Sequence, residues 1–362
     1  MRHKILFVIN KMTYGGAAKI MAFVANGLTA RGHEVHLLSY ENPNIIPALD
    51  ARIHIAQAPP QPPALPGLRR IVQVWQVRHV IRQLKPEVII SFLTYPNLIS
   101  ILAAQGTGIP VIIAERGDPY AWQGWFTRLR DGVYRFANGY IFQTHRAKEY
   151  YSNINPSKAI VIPNPAYIGE KPPAPNRAEI QETIVTVGRL ELKQKRQDVL
   201  IQAFAQIATE YPEIRLVVYG DGEDEMRIRS LIAEHQLEGR ILLAGVTKNV
   251  YAAIQSARLF VLSSDYEGIP NALIEAMSVG LPCISTDCSP GGAAELIENM
   301  HNGILVKTGD SRALAQAIRF MLDHPQQAEQ MGQNATKILD RFNPTYILDA
   351  WENAIHRFVF RI

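Results

Sequence analysis

Twelve short runs rich in Val, Ile and Leu punctuate this 362-residue chain, six on each side of a proline-rich stretch. In the first half they are KILFVI (4–9), EVHLLS (34–39), EVIISFL (87–93), VIIAE (111–115), GYIFQT (139–144) and AIVIP (159–163). In the second they are TIVTVG (183–188), IRLVVYG (214–220), RILLAG (240–245), RLFVLS (258–263), PCIST (282–286) and GILV (303–306). Near-continuous apolar runs, separated by stretches of helical period, predict parallel strands buried on both faces by helices. The segment between the two arrays, NPAYIGEKPPAPNRAE (164–179), has the composition of a linker. The chain is also longer than one typical core supports. Two Rossmann-like α/β domains facing one another are therefore expected, over residues 1–165 and 180–343. The stretch QAPPQPPALP (57–66) forms neither helix nor inner strand and is expected as a surface loop.

The net charge of +4 conceals an asymmetry. Residues 1–170 carry 18 Lys+Arg against 9 Asp+Glu, and residues 171–362 carry 19 against 24. A basic first half implies a meeting with something anionic. Two cysteines, Cys283 and Cys288, exclude a disulfide framework and are too few for a zinc site, so both are expected as reduced thiols of a cytoplasmic protein. The first ten residues lack the features of a signal peptide. Val88 to Ala114 is free of charge, but Pro96, Asn97, Gln105, Gly106, Gly108 and Pro110 interrupt it, and a span needs about 20 mostly apolar residues. No transmembrane segment is expected.

Chemistry concentrates in three places. After the first strand, Gly15 and Gly16 precede a helix; they suit close approach of a ligand anion to a helix N-terminus, or simply a tight turn. The loop is not G-x-G-x-x-G, so a nicotinamide or flavin site is poorly supported. In VGRLELKQKRQD, Arg189 ends a strand and Lys193, Lys195 and Arg196 follow it, which suits a diphosphate or a solvated basic loop. In DYEGIPNALIEAMSVGLP (265–282), a helix expected to begin near Pro270–Asn271 offers N–H groups to a phosphate, and carboxylates stand at Glu267 and Glu275. Carboxylates repel phosphate but accept hydrogen bonds from sugar hydroxyls. The pair therefore describes a nucleotide sugar, with Glu275 on the ribose and Glu267 on the transferred sugar.

Gly15–Gly16, VGRL with Lys195, YGDGE (219–223), AGV (244–246) and SSDYEGIPNALIEAMSVGLPCISTD, with its E-x7-E spacing, occur in one order over nearly the whole chain. This set resembles the retaining GT-B glycosyltransferases of family 4 (glycosyl transferases group 1). The resemblance implies a GT-B fold, two Rossmann-like domains with parallel sheets facing across a cleft, and a last helical stretch (344–362) packed back on the first domain. It makes Arg189 and Lys195 a diphosphate clamp and the backbones of Asn271, Ala272 and Leu273 a second phosphate contact. Together with Glu267 the two cations form the catalytic set. Gly245 and Val246 are placed against the nucleobase and Gly16 near the donor phosphate.

Two departures stand out. GRLELKQK has one more residue before its last lysine than is common, so Lys193 competes with Lys195. Where many relatives carry a histidine, this chain has AERGDPY, making Arg116 and Asp118 the acceptor-side candidates. The chain contains no D-x-D pair, so metal-independent chemistry without a cofactor is expected, the cations offsetting charge on the diphosphate. The implied reaction moves a hexose or N-acetylhexosamine from a nucleotide diphosphate sugar, expected to be a UDP-sugar, to a saccharide in cell-surface polysaccharide or glycan synthesis. An epimerase of the same architecture is the alternative. The stretches 68–85 and 122–136 mix tryptophan with arginine, which suits either packing on the sheet or contact with an anionic membrane at the inner face of the plasma membrane. In the second case the acceptor is polyprenyl-diphosphate-linked. Nucleic acid is not an expected partner.

Overall fold

The computed structural model describes residues 2–13, 15–42, 48–59, 68–173 and 180–360. Residues 60–66 of the proline-rich stretch, Gly67 after it, and 174–179 of the linker lie outside this set. The chain divides into two compact units, Met1–Asn164 with Thr345–Ile362, and Pro165–Pro344.

The first unit contains strands β1 (Lys4–Lys11), β2 (Glu34–Asn42), β3 (His54–Ala56), β4 (Val88–Phe92), β5 (Val111–Ala114), β6 (Gly139–Phe142) and β7 (Ala159–Val161). They form one parallel sheet in the order β3-β2-β1-β4-β5-β6-β7. The second unit contains β8 (Gln181–Val187), β9 (Arg215–Tyr219), β10 (Ile241–Gly245), β11 (Ala257–Leu262), β12 (Cys283–Thr286) and β13 (Ile304–Val306). These are also all parallel, in the order β10-β9-β8-β11-β12-β13. Both sheets reverse direction of growth beside their first strand, between β1 and β4 and between β8 and β11. At such a reversal the loops leaving the carboxyl ends of two adjacent strands part in opposite directions and leave a crevice for ligands.

All twelve expected runs are strands. β3 is a thirteenth, three residues long and largely exposed at the sheet edge, so it carries no apolar run to reveal it. Strands β4, β5 and β6 are buried at every position, as a sheet covered on both faces requires.

The helix Pro344–Ile355 belongs to the first unit. Its Trp351 is fully buried and stacks on Phe92 at 5.4 Å between ring centres. Arg31 is ion-paired with Asp349 and Glu352 on this helix, and His33 Nε2 lies 3.0 Å from Glu352.

Candidate functional site

In the second unit the turn after β8 is shaped by its neighbour after β9. Gly220 has φ +135°, and a Cβ there would stand 1.9 Å from the carbonyl oxygen of Gly188. The loop YGDGE thus lies against VGRL, with Leu190 N–H donating to Asp221 O at 2.7 Å and Leu192 N–H to the Asp224 carboxylate at 2.7 Å. Held there, residues Leu192–Lys195 form a single helical turn, which Arg196 ends at φ 50°. That turn absorbs the extra residue of GRLELKQK. It leaves Lys193 exposed and directs Lys195 inward.

Lys195 Nζ is paired with Glu267 Oε1, both side chains being largely buried. Glu267 also accepts from Ser264 Oγ at 2.9 Å and Gln194 Nε2 at 3.4 Å. The segment carrying Lys195 is fastened to the one carrying Glu267 by Ser263 Oγ donating to Lys195 O (2.8 Å) and Asp265 N–H to Gln194 O (2.9 Å). Gln194 and Ser264, not recognised from the sequence, hold this pair; Ser264 stood in the quoted SSD run without a distinguishing spacing. Arg196 is spoken for by Asp198 and Asp265. Arg189 differs. Its side chain is 69% exposed, beside Glu191 at 3.1 Å, with its own carbonyl fixed by Gln197 Nε2 at 2.7 Å.

The helix Asn271–Ser278 starts directly after Pro270 and has no side-chain cap. Of the three backbones expected as phosphate contacts, that of Leu273 donates its N–H to Pro270 O at 3.1 Å. The loop before it is pinned by Glu267 N–H on Ser289 O at 2.7 Å. Glu275, one helical face further on, is half-buried. Burial, and then the field of Glu275, push the Tyr251 hydroxyl up to about 12. Burial, and then Glu267, do the same to Cys288, which stays a thiol. Gly245 ends β10 and accepts from Gly220 N–H at 2.8 Å; Val246 beyond it is exposed.

In the first unit Gly15 and Gly16 are exposed at the start of the helix Gly16–Ala30. Asp118 caps the short turn Pro119–Ala121 by accepting from Tyr120 N–H at 2.9 Å, a structural task. Arg116 is buried beside the stacked Phe92 and Trp351, with its guanidinium carbon 5.1 and 5.3 Å from the ring centres. Its neighbour Glu115, also buried, accepts from Thr94 Oγ1 and from Tyr134 OH at 2.6 Å, and burial pushes its carboxyl up. Arg130, which the sequence placed on a basic face, is fully buried and satisfied by Asp131, Pro119 O and Tyr150 OH. Trp75 and Trp125 are exposed, on the helices Arg69–Leu84 and Trp125–Tyr134. No helix among the described residues is long and apolar enough to cross a membrane.

Residues 14–167 match the description Glycosyltransferase Family 4, and residues 168–338 match Glycosyl transferases group 1. A Campylobacter jejuni protein is 25% identical over 96% of this chain and 97% of its own length. That relative is named a GalNAc-alpha-(1->4)-GalNAc-alpha-(1->3)-diNAcBac-PP-undecaprenol alpha-1,4-N-acetyl-D-galactosaminyltransferase. The structure of Anabaena Alr3699/HepE in complex with UDP-glucose superposes with a TM-score of 0.81 at 20% identity, over 98% of this chain and 100% of that one. The lipopolysaccharide outer core galactosyltransferase WaaB gives 0.79 at 21% identity, over 98% and 99%. Two parallel sheets of reversing order, with those two regions matched in succession, make this chain a member of the GT-B glycosyltransferases of family 4, enzymes that transfer sugars.

Proposed function

We propose that the protein transfers a hexose or N-acetylhexosamine from a UDP-sugar to a saccharide carried on a lipid diphosphate, with retention and without a metal ion. The observation that carries this reading is the Lys195–Glu267 pair at the carboxyl edge of the second sheet, beside the uncapped start of Asn271–Ser278. As the bond between the sugar and the diphosphate breaks, negative charge grows on the leaving oxygen. Lys195 and Arg189 supply cations there and the helix start supplies N–H groups. The departing oxygen takes the proton of the acceptor hydroxyl as the new bond forms on the same face, which is retention. Glu267 binds hydroxyls of the transferred sugar and Glu275 those of the ribose. The UDP donor is supported by the HepE complex, and the lipid-linked acceptor by the undecaprenol-linked substrate named for the Campylobacter protein. Exposed Trp75, on a helix that carries Arg69, Arg70, Arg78 and Arg82 and no acidic residue, supports peripheral contact with an anionic bilayer.

The test is a thermal-shift screen of UDP-, GDP- and ADP-sugars, followed by transfer to a lipid-diphosphate saccharide in excess chelator. A UDP-sugar should raise the melting temperature and be consumed, since a ligand that binds only the folded chain stabilises it. Stabilisation by none of them, or turnover abolished by chelator and restored by magnesium, overturns the reading. Recovery of an epimerised donor instead of a glycoside assigns the alternative activity.

A further inference from the structure

Arg116 follows β5 at the carboxyl edge of the first sheet and is 8% exposed. Nη1 donates to Asn164 Oδ1 at 3.1 Å. Nε and Nη2, both shut from solvent, have no hydrogen-bond partner among the described residues. These two nitrogens form one edge of the guanidinium, and this chain uses that edge elsewhere to grip carboxylates. Arg52 holds Asp50 through it at 2.9 and 2.7 Å. Arg319 holds Glu210 at 2.7 and 2.8 Å. Arg196 holds Asp198 at 3.0 Å through both nitrogens. In Arg116 the same fork meets no acceptor.

The adjacent carboxylate does not fill the role. Glu115 is engaged by Thr94, Tyr134 and the N–H groups of Arg116 and Gly117. Burial pushes the guanidinium down to about 9, against the opposing pull of Glu115, so it is still charged at neutral pH. A buried cation with two unsatisfied donors is costly unless an anion completes it. A second observation marks the same edge. Leu93, directly after β4 and bonded to Ala114 O at 3.1 Å, sits at φ 78° and ψ 155°, a conformation almost reserved for glycine. Such strain concentrates at ligand sites.

We propose that the Nε–Nη2 edge of Arg116 binds a phosphate oxyanion of the acceptor, the diphosphate through which its saccharide is carried. The proposal deepens the lipid-diphosphate acceptor reading above and rests on it. The donor diphosphate has its own cations in Lys195 and Arg189. The other buried arginine among the described residues of the first unit, Arg130, is already satisfied by its neighbours. Because Nε and Nη2 are closed to solvent, binding includes a local opening around them. A planar fork also explains why a lysine should not substitute.

The test is calorimetric titration of the full chain with farnesyl diphosphate, with farnesol, inorganic pyrophosphate and UDP as comparators. Arg116→Gln and Arg116→Lys should weaken farnesyl diphosphate binding by about ten- to a hundredfold, the loss typical of hydrogen bonds to a charged group. UDP binding should be unchanged. Lys195→Ala should show the reverse selectivity. Asn164→Asp places a carboxylate beside the same guanidinium without removing it, so it should weaken farnesyl diphosphate even if the Arg116 variants fold poorly. Pyrophosphate binding as tightly as the prenyl form, and lost with Arg116, assigns the bare oxyanion as what is recognised. Binding by the prenyl form alone, lost with Arg116, assigns the lipid diphosphate as a unit. Farnesyl diphosphate binding that is absent, or that is untouched by Arg116→Gln and Asn164→Asp in folded protein, overturns the proposal. So does a UDP affinity that falls by the same factor. If no nucleotide sugar binds yet the Arg116-dependent signal persists, the donor reading fails and this one stands.

Discussion

Lys195→Ala tests two roles of one ammonium group and separates them. The side chain is 18% exposed and Glu267 10%, so the pair is shielded without being fully dry. Breaking a fully buried pair costs about 3–5 kcal/mol because it strands the partner's charge. Here Ser264 Oγ and Gln194 Nε2 stay on Glu267 after the lysine is gone, so a smaller stability loss, about 1–2 kcal/mol, is expected. The catalytic loss should be larger. A cation aimed at charge that grows in the transition state is worth roughly 2.7–4 kcal/mol, about a hundred- to a thousandfold in kcat, by analogy with a lost oxyanion-hole donor. The experiment pairs denaturant unfolding with steady-state kinetics at saturating donor. Lys193→Ala is the control: its side chain is exposed, so both readouts should move by less than about 0.5 kcal/mol. If Lys195→Ala lowers stability but leaves kcat within a few-fold of the parent, Lys195 is a strut for Glu267, and the diphosphate clamp is refuted.

Glu275→Gln should raise the KM for the nucleotide sugar about tenfold with little change in melting temperature, because the half-buried carboxylate is assigned to ribose hydroxyls; unchanged donor affinity removes that assignment. Gly220→Ala should cost more than about 3 kcal/mol in an unfolding titration, since its Cβ would sit 1.9 Å from Gly188 O at φ +135°; a near-neutral variant would show that the two loops part easily. The carboxyl of Glu352 is held below its ordinary value: burial opposes this, but the hydrogen bonds from His33 and Arg31 outweigh it. A depressed folded value means stability that is full above the unfolded value of 4.5 and is lost as pH falls through the folded one. Glu352→Gln should therefore flatten the acid limb of a melting-temperature profile, and a profile parallel to that of the parent contradicts this.

The strands were readable because a doubly covered parallel sheet writes its burial as unbroken Val/Ile/Leu runs. β3 was not, because an exposed edge strand carries no such run. The Glu267 and Glu275 spacing marked out the stretch around the helix Asn271–Ser278, but the sequence left Lys193 and Lys195 as competitors for the inward position. The decision depends on a one-turn helix whose course is set by Gly220 and Asp224, residues more than twenty positions away. Arg130 reads like any other arginine of an amphipathic helix, and only the tertiary packing with Tyr150 and Pro119 shows that it is interior. The same holds for Arg116: AERGDPY reveals a charge at a strand end, not that its fork faces no acceptor.

The helix Pro344–Ile355 lies about 180 residues beyond the rest of the unit into which it packs. Gly27 has no side chain where Leu348 presses, a Cβ there falling 2.5 Å from Leu348 Cδ2, and Trp351 closes over Phe92. During synthesis, which delivers residues in order and lets domains fold as they emerge, the second unit is therefore complete before the first has its last wall. The domain made first is finished last. A ribosome that stops anywhere in the second unit releases a chain whose Phe92 and Arg116 lack their indole cover, and the protein's own topology thereby reports whether translation has passed Trp351.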